Sequence, residues 1–215
     1  MLRMIQIDKS FNIGTINEKQ IFQGLNLTIR DGDFITVIGG NGAGKSTMLN
    51  LIAGVHKADG GRIILDGEDL TYKNETQRAK YIGRVFQDPM MGTAPTMMIE
   101  ENLAMAYRRT KRRTLAWGIS QKERELYRAS LAQLGLGLED RMKTKVGLLS
   151  GGQRQAVTLL MATLQKPKLL LLDEHTAALD PATSAKVLQL SDQIIREHGL
   201  TALMVTHNMQ DAINY

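Results

Sequence analysis

Apolar and polar residues alternate at the start of the chain. Met4, Gln6 and Asp8 fall on one side of an extended segment and Ile5 and Ile7 on the other. Leu25, Leu27 and Ile29 repeat the period of two before an Arg30-Asp31-Gly32-Asp33 turn. This alternation predicts half-buried antiparallel strands. Residues 34–38 form a short β-rich run that breaks at Gly39-Gly40, and a helical stretch follows from Lys45 to Ala53. Gly60-Gly61 turns the chain into a strand over 62–65, which Asp66-Gly67 closes. Residues 81–86 read as another strand, ending at Gln87-Asp88-Pro89.

The pattern then changes. Helical periodicity dominates around 100–107 and 122–134, so the stretch up to Leu149 reads as a separate, mostly helical lobe. Ser150 opens a further helix, in which Val157, Leu160, Met161 and Leu164 keep one face apolar up to Pro167. Residues 169–172 are apolar at every position, the mark of a strand covered on both faces. Asp180 followed by Pro181 predicts a helix start, and that helix runs to about His198, where Gly199 stops it. Residues 201–205 form one more buried strand. Strands that alternate with helices imply a mainly parallel sheet flanked by helices on both sides, here with an antiparallel β part at the N-terminal end.

Composition narrows the picture. A length of 215 residues suits one medium domain, and 43% apolar with 23% charged residues is an ordinary globular balance. The absence of cysteine excludes disulfides and thiolate metal sites and fits a reducing compartment. No apolar run approaches a bilayer span, and no signal-like segment precedes the first acid, so the expected place is the cytoplasm, with any membrane role supplied by a partner. The net charge of +5 is matched by Arg108, Arg109, Lys111, Arg112 and Arg113, a segment with no acid. The basic character is therefore a local patch, open to a lipid headgroup, a partner, RNA or plain solvation.

The chemistry concentrates at strand ends. Gly39, Gly40, Asn41, Gly42, Ala43, Gly44, Lys45 and Ser46 fit G-x4-G-K-[ST] between a strand and a helix. Bare glycine backbone lets N–H groups turn inward around phosphate oxygens, and the helix start adds its unpaired N–H groups. Lys45 then reaches the β- and γ-phosphates, Ser46 ligates Mg2+, and Thr47 supports the loop. Asp173 and Glu174 follow the buried strand 169–172. A carboxylate there needs a partner, so Asp173 is the expected metal-side acid. Glu174 points elsewhere and is the candidate to polarise an attacking water. Gln87 and His207 also follow strands, and ligands of parallel α/β folds collect at such ends, so Gly39, Asp173, Gln87 and His207 are expected to converge.

A second helix start is unusual. In Leu149-Ser150-Gly151-Gly152-Gln153, Ser150 and Gln153 form a capping box. The cap explains Ser150 but not two glycines, which cost helix stability and leave the end open to an anion.

Taken in order, these residues resemble the ATP-binding subunit of an ABC transporter over nearly the whole chain. Residues 39–47 resemble Walker A, Gln87 the Q-loop glutamine, 149–153 the LSGGQ signature, 169–174 Walker B with its catalytic glutamate, Ala178-Leu179-Asp180 the D-loop, and His207 the switch histidine. Phe11 stands where the adenine-stacking aromatic is expected. The resemblance implies a P-loop NTPase core with a helical subdomain at about 90–160, bound ATP and Mg2+, and catalytic roles for Lys45, Gln87, Glu174 and His207. Ser46, Gln87 and Asp173 would stand on the metal side. It also implies a head-to-tail dimer with a second, identical ATPase subunit. There each ATP would lie between the Walker A loop of one copy and the signature helix of the other, with Ser150 and Gly152 on its γ-phosphate; Gly151, Gln153 and Asp180 are also implied as nucleotide-binding residues. The other partners implied are transmembrane permease subunits and an external substrate-binding lipoprotein. The subunit would sit on the cytoplasmic face of the membrane, touch no cargo and bind no nucleic acid. Solute import is the expected direction.

Two residues depart from the family pattern: His175 stands where proline is usual, and Gly40 where proline or serine is common. The chain also ends soon after His207, so a truncated C-terminal end is expected. Two other readings stay open: a soluble ABC-type ATPase acting on nucleic acid or in translation, for which the basic run is the only support, and a binding protein with a dead site, against which Lys45, Ser46, Asp173, Glu174 and His207 all stand.

Overall fold

The computed structural model describes residues 1–110 and 118–207; Lys111, Arg112 and Arg113 of the basic run lie outside them. The chain forms two compact units. The first comprises Met1–Gly83, Pro167–Asp173 and the segment from Gly199, the second Arg84–Lys166 and Glu174–His198.

In the first unit, β1 (Leu2–Phe11) and β2 (Lys19–Ile29) pair antiparallel, and β1 pairs on its other edge with β4 (Gly60–Leu65), followed by the short β5 (Glu68–Asp69). This gives a sheet of order β2-β1-β4-β5. A second sheet has the order β3-β8-β7-β6, from β3 (Phe34–Ile38), β8 (Ala202–Thr206), β7 (Leu169–Asp173) and β6 (Ile82–Val85). β8 runs parallel to both β3 and β7. The chain passes from the first unit to the second within β6, after Gly83. The mainly parallel sheet and the antiparallel N-terminal part match the sequence expectation.

One detail of β1 differs from plain alternation. Leu2, Met4 and Ile7 are buried, whereas Ile5 is 37% exposed. Gln6 adopts a left-handed φ of 49°, and the register against β2 slips between Met4 and Ile7. This bulge turns Met4 and Ile7 to the same side. Gly61, at φ 87°, faces it, and a Cβ there would stand 2.3 Å from the Gln6 carbonyl oxygen. Only glycine fits opposite the bulge.

α1 (Lys45–Ala53) buries Leu49, Leu51 and Ile52 in the core of the first unit, with Leu169, Leu171 and Leu203. Its C-terminal end is closed by a buried arginine. Arg78, at the end of α2 (Glu75–Arg78), donates to the carbonyls of Leu51 at 2.7 Å and Ile52 at 2.8 Å, and to those of Lys73 and Thr71. Burial lowers its pKa to about 10, so it stays charged at neutral pH and neutralises the negative helix end.

The second unit is helical: α3 (Ile99–Tyr107), α4 (Gln121–Ala132), a 3-10 turn (Val146–Leu148), α5 (Gly151–Thr163) and α6 (Pro181–His198). α4 starts at Ser120 with a full capping box, and Glu123 of that box also takes Arg108 at 2.8 Å. That ion pair, then the Ser120 contacts, hold the Glu123 carboxyl down at about 2. Buried Asn102 on α3 accepts from the Ala94 N–H at 2.7 Å and donates to the Ala94 and Met98 carbonyls, so it splints the loop that leads into the helix.

Candidate functional site

The first unit builds a bare glycine loop at the start of a helix. β3 ends at Ile38, the loop runs through Gly39 to Gly44, and α1 begins at Lys45. Gly42 and Gly44 stand at φ 81° and 89°, a region that excludes most side chains. A Cβ on Gly44 would approach Ile21 Cγ2 to 2.8 Å, so β2 packs directly under the loop. No side chain caps α1, and its first turn carries no acid. The N–H groups and positive end of the helix are thus open to an anion. Lys45 is buried, and its ammonium donates to the Gly39 carbonyl at 2.7 Å and the Gly40 carbonyl at 3.1 Å. The loop therefore holds its own cation at its centre, while Ser46 stays exposed.

The register of the second sheet places the other residues of this unit. Ile38 pairs with Thr206, and Asp173 with Val205. Gly39, His207 and Asp173 consequently sit at one carboxyl edge, on β3, β8 and β7. His207 is exposed there. The Ser46 hydroxyl and the Asp173 carboxylate are both oxygen donors, the set a hard divalent cation takes. Phe11 closes β1, half-buried, with its ring edge-on to His56 at 5.3 Å and the Lys9 ammonium 5.2 Å from its centroid. Lys9 is itself tied to Asp59 at 2.8 Å.

Glu174 and Gln87 belong to the second unit. Glu174 has a left-handed φ of 44°, which is unusual for a residue with a side chain, and its carbonyl accepts from the Ala177 N–H. His175 beside it is buried and hydrogen-bonded to Ser191 at 3.0 Å, so the residue in the usual proline position anchors this turn to α6. Asp180 accepts from the Thr183 N–H at 3.1 Å and caps α6; those Thr183 contacts lower its pKa.

At the second glycine start, Ser150 accepts from the Gln153 N–H, and the Gln153 side chain accepts from the Ser150 N–H. The expected capping box is present. A Cβ on Gly152 would meet Thr183 Cγ2 at 2.2 Å, so the helix end lies close against α6. A half-open cavity of about 430 Å3 borders Ser150, Gly152, Gln153, Thr183 and Lys186.

Sequence reasoning passed over Gln155. It is fully buried on α5, and its amide donates to the Phe86 carbonyl at 3.1 Å, one residue before Gln87. Gly92 also fits against α5, since a Cβ there would stand 2.6 Å from Thr158. The segment after β6 is thus pinned to the helix that Ser150 caps. The signal was available: Gln155 and Thr158 are polar residues on the apolar face shared with Leu159.

Comparison with known proteins adds a family. A family profile described as ABC transporter matches residues 22–177. The chain is 45% identical to the tyrosine transport ATP-binding protein of Clostridioides difficile, over 100% of this chain and 85% of that protein. It is 37% identical to the methionine import ATP-binding protein MetN of Rhizobium johnstonii, over 87% of this chain and 50% of that protein. A solved dimeric structure of an ATP-binding cassette, in a post-hydrolysis state with ADP and Pi, matches with a TM-score of 0.82. It shares 29% identity, over 99% of this chain and 90% of that one.

Proposed function

We infer, because this chain belongs to the ABC transporter family, that its nucleotide chemistry drives solute import through a membrane permease. The subunit binds and hydrolyses ATP to power transport. The observation that carries the residue assignment is the buried Lys45 ammonium, held by loop carbonyls at the uncapped start of α1. ATP places its β- and γ-phosphates in that cradle, against the N–H groups of residues 39–47, and Lys45 exchanges its carbonyl partners for phosphate oxygens. Phe11 takes the adenine face. Mg2+, when bound, would supply charge neutralisation at the terminal phosphates, and Ser46, Asp173 and Gln87 are the residues that would hold it. Glu174 polarises the attacking water, and His207 and Gln87 orient the reacting end.

The cassette works as a dimer with a second copy of the chain. The bare helix end at Ser150, Gly151, Gly152 and Gln153, with Asp180 at the cap of the helix packed against it, meets the nucleotide of the other copy. Residues 1–215 form one ATPase domain, and about 90–160 form its helical subdomain. Among the described residues no helix is long and apolar enough to cross a membrane. By its resemblance to the ATP-binding proteins of import systems, the subunit docks on the cytoplasmic face of a permease, with a substrate-binding lipoprotein outside. The cargo is a small organic solute, for which tyrosine, the cargo of one relative, is the first candidate to test.

Steady-state ATP turnover of the native protein and of Glu174→Gln tests the catalytic assignment. Loss of a general base predicts a fall of roughly 10^2-fold or more with ATP binding retained. Equal turnover in the two proteins removes Glu174 from the mechanism.

A further inference from the structure

We propose that Lys19 is a phosphate-binding residue of the nucleotide site. It would be a second ammonium that meets the polyphosphate from outside the loop that Lys45 fills from within. The proposal rests on the assignment of residues 39–47 as the ATP cradle and adds a residue to it. Lys19 opens β2 directly opposite Phe11, the last residue of β1, so the strand register fixes where both stand. The Lys19 ammonium lies 3.8 Å from the point where a Cβ on Gly42 would be. Gly42 is the exposed, bare turn of the cradle, at φ 81°.

The surrounding charges leave Lys19 available. Lys9, the other cation near Phe11, is committed to Asp59 at 2.8 Å. Lys19 is exposed, and among the described residues no carboxylate pairs with it. No acid stands in the first turn of α1 to offset the cradle's own positive end. Two ammonium groups and a helix N-terminus border one loop, so each adds to its attraction for an anion. The group that meets all three is a chain of phosphates rather than a base or a sugar. A lysine suits this task as a point charge on a flexible stem, able to follow the polyphosphate.

Calorimetric titration of the full chain with ATP, ADP and adenosine, at low and high salt, tests the assignment on native protein, K19M, K19R and K45A. K19M should weaken ATP and ADP about two- to fivefold and leave adenosine unchanged, the size expected of one solvent-facing charge contact. The loss should shrink at high salt, and K19R should restore most of the affinity. Native-like ATP and ADP affinity in K19M overturns the proposal, as does an equal loss for adenosine. If K45A loses ATP while K19M does not, only the role of Lys19 fails. If K45A is also unaffected, the cradle assignment beneath it fails as well.

Discussion

His175 ties the stability of the second unit to pH. Its ring is buried, and the Ser191 hydroxyl donates to the Val187 carbonyl at 2.8 Å. Ser191 Oγ is therefore left to accept the His175 Nε2–H at 3.0 Å. Burial depresses the imidazole from 6.5 to about 4, so it folds neutral. The unfolded chain takes up this proton as pH falls through 6.5, and the folded chain does so only near 4. Across that window the unfolded state binds more protons, so this contribution is complete above the upper value and is lost as pH falls. Single-site linkage gives a loss of about 2 kcal/mol on going from about pH 7.5 to about pH 5, and about 3 kcal/mol near pH 4. Urea unfolding of the native protein and of His175→Gln at the two higher pH values isolates this group, because every other titration is shared. The native protein should lose about 2 kcal/mol more than the variant. An equal loss in both, or an imidazole NMR titration near the ordinary value, refutes the argument.

Gly44→Ala should cost about 2 kcal/mol, since it combines a left-handed φ with a 2.8 Å approach to Ile21. It should also weaken ATP binding, and a thermal melt with and without nucleotide checks both effects. Arg78→Met removes the donors to four carbonyls around the end of α1. The expected loss is about 3 kcal/mol by urea unfolding, and a change below about 1 kcal/mol would contradict the capping role.

Much of this structure was legible because local chemistry and tertiary packing agree. The bounds of β3 and α1 follow from an apolar run, a glycine break and a lysine-led helix, and the Ser150 capping box reads directly from its spacing. The buried run 169–172 announces a central strand. What escaped depends on residues distant in sequence. Alternation could not place Met4 and Ile5, because the bulge at Gln6 is matched by Gly61 on another strand. Arg78 is charged and yet almost fully buried, since its partners are backbone carbonyls of a helix more than twenty residues away. The burial of His175 depends on Ser191, sixteen residues further along. Lys19 carries no motif at all, and only the pairing of β1 with β2 sets it beside the cradle.

ATP binding and turnover by this subunit depend on the cradle formed by residues 39–47, and equilibrium binding of MgATP to the native chain and to Lys45→Ala measures that dependence. Native protein should hold one ATP per chain, and the variant should bind at least about tenfold more weakly, as the loss of a charge-assisted contact requires. A native chain that fails to retain MgATP, or a variant that retains it equally well, would show that residues 39–47 do not hold the nucleotide.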